Sequence, residues 1–377
     1  MSWKKVRLGD VATFVNGYPF KPTDWGIEGY EIIRIQNLTK GNSESNYFSG
    51  NIPEKYKVVR GDILISWSAT LDIFVWKGND AWLNQHIFKV VFDKIDIDKS
   101  YFIYAIKNIL VEMRKQVHGA TMQHITKGKF DNLEIPLPPL ATQKRIAEIL
   151  DAADALRRKD QELLKKYDEL AQAIFIDMFG TNSNIVKLNE ITTKITDGVH
   201  AKPNYQETGV PFLSVKNATN KFLDFNNSKF ISQVDHEAYT KRCKPEFEDI
   251  LYTKVGATYG RAAIIDSKIE FSIYVSLALI KPDRNKVYPY YLNFVLNTNY
   301  IKKQADRRVK GAGVPDLHLV EIKDFDIPLP SYKEQLDFSN VISNLNQNII
   351  ATKNQILESD NLFQTLIQKA FNGELVS

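Results

Sequence analysis

The strongest constraint on this chain is a stretch that occurs twice. After Ile135-Pro136-Leu137-Pro138-Pro139 the sequence runs from Leu140 to Phe179 with no proline or glycine, and Gly180 follows. Apolar residues recur at Ile146, Ile149, Ala153, Leu156, Leu163, Tyr167, Leu170 and Ile174, in alternating steps of three and four apart from a skip at Asp160. This spacing predicts one helix with a heptad seam, roughly 55–60 Å long at about 1.5 Å per residue. The second copy follows Ile327-Pro328-Leu329-Pro330. Its seam is Phe338, Ile342, Leu345, Ile349, Thr352, Ile356, Ser359, Phe363, Leu366 and Ala370, and Asn372-Gly373 ends it. A glycine there suits the left-handed turn of a helix C-terminus. One copy alone would read as one face of a core helix. Two copies with the same proline brake and the same stop argue for two long helices packed on each other.

The repeat extends beyond the helices, at a period of about 180 to 192 residues. Val6-Arg7-Leu8-Gly9-Asp10-Val11 returns as Val186-Lys187-Leu188-Asn189-Glu190-Ile191, and Ile33-Arg34-Ile35-Gln36-Asn37 as Leu213-Ser214-Val215-Lys216-Asn217. Asp62-Ile63-Leu64-Ile65-Ser66 returns as Asp249-Ile250-Leu251-Tyr252-Thr253, and Gly119-Ala120 as Gly311-Ala312. A period this long is a domain duplication. Within each half, Tyr30–Leu38, Ile63–Ile65, Ile87–Phe92 and Ile273–Ile280 read as strands. Tyr101–Val117 and Tyr290–Val309 read as helices. The expected fold class is α+β: two duplicated mixed α/β domains joined by two long antiparallel helices in a coiled coil, with pseudo-two-fold symmetry. The expected segments are a first domain over 1–139, a helix over 140–180, a second domain over 181–330, and a helix with a tail over 331–377.

Composition narrows the class. At 377 residues, 44% hydrophobic and 25% charged, the chain has the make-up of a soluble globular protein of two or three domains. The first twenty residues carry no apolar signal core, and no apolar run approaches a membrane span. Cys243 is the single cysteine, which rules out an internal disulfide or a cysteine-rich zinc cage and fits a reducing cytoplasm. A net charge of +4 is compatible with a polyanion partner without demanding one.

Two similar domains on two similar helices call for a target of matching symmetry. Duplex DNA is one, and recognition modules pair on it about one helical turn, ~34 Å, apart. Because the two domains differ in sequence, their half-sites should differ.

The arrangement resembles the specificity subunit of type I restriction–modification systems. The resemblance is carried by the Ile-Pro-Leu-Pro brakes at 135–138 and 327–330, each followed by a glutamine (Gln143, Gln335) and a long helix. Gly119-Ala120, Gly311-Ala312, Gly61-Asp62-Ile63-Leu64 and the terminal Phe371-Asn372-Gly373-Glu374-Leu375 extend it over essentially the whole chain. One departure is Glu248-Asp249 where the first copy has Gly61-Asp62, which bears on the geometry of that turn. The resemblance implies that each domain recognises half of an asymmetric bipartite DNA target. It implies that the helices act as a ruler and hold two methyltransferase subunits that use S-adenosylmethionine. An ATP-dependent restriction subunit can join, with Mg²⁺ and ATP also on partner subunits, and this chain itself is non-catalytic and carries no cofactor or metal.

The residues agree on chemistry. The Asn/Asp-Pro-Pro-aromatic motif of an adenine methyltransferase does not occur, since Leu140 follows Pro138-Pro139. No dinucleotide or Walker loop is found. Pro282-Asp283 or Pro315-Asp316 with Glu321-Ile322-Lys323 resembles a nuclease triad, but such short patterns are common by accident. The six histidines show no ligand spacing. Two rival readings are a self-contained nuclease or methyltransferase and a protein-only coiled-coil scaffold.

Candidate DNA contacts fall into sets, chosen because Lys and Arg meet phosphates while Arg, Lys, Asn, Gln, Ser and Thr on positioned loops read bases. The densest basic run is Lys302, Lys303, Arg307, Arg308 and Lys310; its counterpart is Lys107, Arg114, Lys115 and His118. A charge run is ordinarily a solvated helix face, but this one recurs ahead of the Gly-Ala step in both halves. The loops after it offer Thr121, Gln123 and His124, and His318. Behind the Ile-Leu strands lie Ser66, Trp67, Ser68 and Thr70, and Lys254, Thr258, Tyr259 and Arg261. A third set is Arg34, Gln36, Asn37 and Lys40, with Lys202, Lys216 and Asn217; for Asn37 and Asn217 a strand-ending turn is the competing role. Trp25 and Trp67 sit in polar loops and could pack on sugar or base. The mixed charge of the first helix suits a partner surface, and the flanks of Leu140–Ala153 and Tyr332–Leu345 are the expected methyltransferase contacts.

Overall fold

The computed structural model describes residues 3–39, 44–68, 70–116, 126–180, 184–218, 222–310 and 313–376, with backbone alone at 114–116. The chain forms two compact units, Met1–Glu162 with Lys353–Ser377, and Leu163–Thr352. The long helices are Leu140–Phe179 and Tyr332–Phe371, and each gives one half to each unit. In the first unit Arg157 meets Asp360 at 2.5 Å and Asp160 meets Gln355 at 3.3 Å, so the helix segments run antiparallel. In the second, Phe175 and Phe179 pack on Phe338.

The proline brakes are strands. Glu134–Pro136 pairs antiparallel with Lys5–Arg7, and Asp326–Leu329 pairs with Asn184–Lys187. Proline has no N–H to give, which confines this strand to an edge and stops it before the helix. A glutamine then locks the joint. Gln143 is buried; its amide donates to Pro138 O at 2.8 Å and its carbonyl accepts from Asp98 N at 2.9 Å. Gln335 repeats this with Pro330 O at 2.9 Å and Tyr288 N at 2.8 Å. Tyr101 and Tyr291 each donate to the second residue of the brake, Pro136 O and Pro328 O, at 2.7 Å. Gln143→Ala strands the part-buried Asp98 N–H and the buried Pro138 C=O, so we expect a loss of about 1–3 kcal/mol in denaturant unfolding.

Each unit carries an antiparallel four-stranded sheet of the same order. In the first it is Thr13–Asn16, Ile87–Val91, Ile63–Ser66, Asp72–Val75; in the second, Thr192–Asp197, Leu277–Pro282, Ile250–Thr253, Ala262–Ile264. One face packs on the helix segments. The first core joins Phe14, Ile65 and Phe88 to Ile146, Leu150, Phe363 and Ile367. The second joins Ile250, Ile280 and Tyr291 to Phe175, Phe338 and Ile342. A mixed sheet, of four strands in the first unit and three in the second, lies beside each, with Tyr30–Ile33 parallel to Ala81–Leu83 and Val210–Leu213 parallel to Ser272–Ile273.

The structure corrects several sequence expectations. The strand anticipated over Tyr30–Leu38 stops at Ile33, and Ile35–Thr39 is a short helix. Asn37 Oδ1 accepts from Arg34 N at 3.0 Å, which turns the chain. Ile273–Ile280 divides into two strands in different sheets. Tyr290–Val309 is two helices, Pro289–Leu296 and Asn299–Arg308, because Thr298 caps the second by accepting from Ile301 N. Glu248 adopts φ +66° where Gly61 has +94°, so the turn survives the loss of glycine. Asp62 and Asp249 each accept a backbone N–H three residues back, from Val59 and Glu246.

The second seam is buried or half-buried throughout, as its periodicity predicts. The first is displaced by one residue over half its positions. Leu156, Leu163 and Leu170 are 43%, 36% and 47% exposed, and Leu150, Asp154, Asp160, Ala171 and Phe175 lie inside. Charges occupy this seam because they are paired: Arg157 bridges Asp154 and Asp360 and lies 4.5 Å from the Phe363 ring centre. No helix among the described residues is long and apolar enough to cross a membrane.

Candidate nucleic-acid interface

In the second unit two of the three candidate sets meet. The strand Ile250–Thr253 runs into a turn that Thr253 closes, its hydroxyl donating to Thr258 O at 2.8 Å and accepting from Arg261 N at 2.9 Å. Residues 314–318 are stitched onto this turn by Gly256 N to Pro315 O at 2.9 Å and Leu317 N to Lys254 O at 2.8 Å. The basic helix docks beside it: Tyr259 Oη donates to Asp306 at 2.6 Å, and Lys302 sits 3.8 Å over the Tyr259 ring. Thr258, Tyr259, Arg261, Lys302, Lys310 and His318 thus share one surface.

Not every cation there is available. Lys302 pairs with Asp306, Arg308 with Asp324 at 3.1 Å and Lys310 with Glu321 at 2.7 Å. Burial pushes the Glu321 carboxyl up, but the Lys310 hydrogen bond and charge outweigh it and hold the pKa below the ordinary glutamate value. Lys303 and Arg307 are exposed and have no ion pair among the described residues. Arg261, Lys202, Lys216 and His318 are also exposed. Asn217 is buried and accepts from Ser214 N at 2.9 Å, which is the turn role.

In the first unit Ser66 is fully buried and closes the equivalent turn by donating to Thr70 O and accepting from Asp72 N at 3.1 Å. Trp67 and Ser68 are half-buried, and Thr70 and Gln36 exposed. Arg34 is half-buried and lies over the Trp25 ring at 4.8 Å. Lys40, His118, Thr121, Gln123, His124 and the side chains of Arg114 and Lys115 lie outside the described residues. Of the nuclease-like residues, Asp283 pairs with Lys286, Asp316 with Lys254 and Glu321 with Lys310. No group of three or more His, Cys, Asp or Glu suited to a metal occurs among the described residues. Burial pushes the Cys243 thiol up to about 11, so it stays protonated and unreactive near neutral pH.

Sequence inspection missed an ionic cluster. Asp197 is buried and meets Arg242, His200 at 3.2 Å and Lys254 at 3.7 Å. The duplication was the available signal: Asp197-Gly198 and Lys254 stand where the first half has Asn16-Gly17 and Trp67. Both glycines are pressed on backbone; an added Cβ would fall 2.0 Å from Asn84 O at Gly17 and 2.0 Å from Ile273 O at Gly198. Gly198→Ala is therefore expected to destabilise the second unit by about 1–3 kcal/mol, measured as a lowered urea midpoint.

Comparison with known proteins places the chain in a family. Residues 1–166 and 181–359 match the family described as the type I restriction modification DNA specificity domain. The chain is 27% identical to the Type I restriction enzyme EcoBI specificity subunit of Escherichia coli, across 100% of this chain and 87% of that one. It is 24% identical to the EcoKI specificity subunit of Escherichia coli strain K12, across 100% and 89%. The fold resembles the crystal structure of the type I restriction–modification S subunit from M. genitalium, with TM-score 0.52, 17% identity and coverage of 98% and 96%. It also resembles a chain from a structure of the type I R-M system in assembly and conformational transition, with TM-score 0.60, 17% identity and coverage of 99% and 98%. Both copies of the repeat match the family separately, and the chain belongs to the family of type I restriction–modification DNA specificity subunits.

Proposed function

We propose that this chain reads an asymmetric bipartite sequence in duplex DNA, one unit per half-site, within a cytoplasmic complex holding two methyltransferase subunits and, when present, restriction subunits. The observation that carries the reading is the duplicated scaffold with unlike side chains at like positions. A two-fold duplex can be approached by two similar modules, and unlike modules demand unlike half-sites. Adenine methylation with S-adenosylmethionine, and any ATP- and Mg²⁺-dependent cleavage, belong to the partner subunits. In the second unit, the turn after Ile250–Thr253 and the 314–318 loop supply base contacts, with Lys303 and Arg307 on phosphates. In the first, the corresponding contacts come from Arg34, Gln36, Ser68, Thr70 and the 114–124 segment. The flanks of Leu140–Ala153 and Tyr332–Leu345 are where methyltransferase subunits would seat.

Methylome sequencing of cells carrying this chain with its methyltransferase tests the reading. A two-part motif with an unread gap is expected, and a single continuous motif would sink it. Binding should also fall steeply with salt as counterions are released. Lys303→Ala or Arg307→Ala should weaken all sequences equally and make the log–log salt slope shallower by about one. The purified chain with Mg²⁺ or S-adenosylmethionine should neither cut nor methylate DNA; activity of the isolated chain would favour the nuclease alternative.

A further inference from the structure

The second unit carries an element that the first lacks. Between Lys229–Ile231 and Ile250–Thr253 stands the helix Gln233–Thr240; in that stretch the first unit has the short turn Glu54–Tyr56 and the strand Lys57–Val58. The chain leaving the helix brings Arg242 against the strand Thr192–Asp197, which holds it twice. Lys194 Nζ donates to the Arg242 carbonyl at 2.6 Å, and Arg242 Nη2 donates to Asp197 Oδ1. Cys243, 5% exposed, anchors the next position in the core with Leu251 and Leu279. Asp197 is itself fixed. It pairs with Ala278 in the sheet, and Gly198 after it admits no side chain against Ile273 O.

The pairing is one-sided. The Asp197 side chain is 6% exposed, whereas that of Arg242 is 57% exposed and that of His200, 3.2 Å from the same Oδ1, 64% exposed. Arg242 and His200 line one open hollow of about 180 Å³ together with Gly198, Val199 and Tyr239. Arg242 Nε and Nη1 have no hydrogen-bond partner among the described residues, so the fork keeps donors to offer. The hollow adjoins the candidate interface, since Asp197 Oδ2 lies 3.7 Å from Lys254, and Lys254 lies 3.8 Å from Asp316 in the 314–318 loop. A phosphate contact needs charge, which Lys303 and Arg307 supply without an ion pair among the described residues. A base contact needs fixed geometry, and a guanidinium clamped by a buried carboxylate has it.

We propose that Arg242 reads a guanine in the half-site of the second unit, donating to O6 and N7 in the major groove, and that Asp197 positions it. The first unit replaces this device: Asn16 stands in the place of Asp197 and accepts from Trp67 Nε1 at 3.0 Å. The proposal rests on the bipartite DNA reading, and the test separates the two. Methylation by complexes carrying the wild-type chain, Arg242→Ala, Arg242→Gln or Asp197→Asn is measured as a motif, and as rates on duplexes with each base pair at each read position. If the wild type gives no bipartite motif, the underlying reading fails and the proposal with it. If it does, Arg242→Ala should lower the preference for one G·C pair about ten-fold. That pair should lie in the half of the motif that an exchange of residues 1–139 leaves intact, and every other position should be unchanged. Asp197→Asn should relax the same pair, because the arginine is then unclamped; relaxation elsewhere would make Asp197 a strut and overturn its role. An unaltered motif with Arg242→Ala, or relaxation at an A·T pair, overturns the guanine contact. Equal weakening at all sequences with a shallower salt slope would make Arg242 a phosphate contact and overturns it too. Should Arg242→Ala fail to fold, Arg242→Gln decides, since it keeps an amide for Asp197 and withdraws the guanidinium fork. Relaxation at the one G·C pair then supports the site, and an intact motif overturns it.

Discussion

Exchanging residues 1–139 for the corresponding segment of another member of the family is expected to change one half of the methylated motif and leave the other half intact. The physical reason is the division of labour between segments. The exchanged stretch contains every strand of the first unit, and all of its candidate contacts lie within it. The floor beneath those strands does not travel with it. Ile146, Ala147, Leu150, Phe363, Ile367 and Ala370 stay with the recipient. The graft therefore succeeds where the incoming sheet presents matching apolar volume, and the Gln143 joint tells whether it has seated, since its carbonyl must find the N–H of residue 98. Sequencing of the methylated sites reads the result. A change in both halves, or in the gap alone, would refute one-unit-one-half-site recognition.

Phe338→Ala should be the most destabilising single change in the second unit. The ring is fully buried and meets Phe175, Phe179, Tyr291 and Phe294 at centroid distances of 5.8, 5.4, 5.9 and 4.9 Å. It lies on one helix segment and touches the other and the helix Pro289–Leu296, so a truncation opens a cavity that three elements would have to close. A loss of about 3–5 kcal/mol is expected, read as a fall in urea midpoint at constant m-value. Leu156→Ala on the exposed side of the first helix should stay within about 0.5 kcal/mol. If the two variants proved equally costly, the assignment of the seam would be wrong.

The helices and their joints were legible because local chemistry dictates them. Proline removes an N–H and fixes φ whatever surrounds it, so the brakes at 135–138 and 327–330 mark strand ends and helix starts without tertiary information. The second seam was legible because each of its positions is apolar or small. The first was not, because Arg157 and Asp160 occupy it, and the groups that allow them there, Asp360 and Gln355, lie 203 and 195 residues away. Counting apolar residues alone moved the stripe onto Leu156, Leu163 and Leu170.

The candidate interface was half legible for a similar reason. The basic run at 302–310 is visible as a run. Nothing local says that Asp324 and Glu321 return to neutralise Arg308 and Lys310, or that Lys303 and Arg307 escape. Ser66 and Asn217 have the composition of base readers, yet both are consumed by the turns they close. Lys254 looked like a surface cation and is an interior one.

The first unit is discontinuous in sequence, since Lys353–Ser377 completes a body that begins at the N-terminus. During synthesis, residues 353–377 leave the ribosome only after the whole of the other unit has been made. The earlier-made segment must then wait, with Ile146, Leu150 and Tyr104 uncovered, for them to arrive. A frameshift or nonsense codon just ahead of Lys353 would thus disable the unit whose synthesis began before the other's.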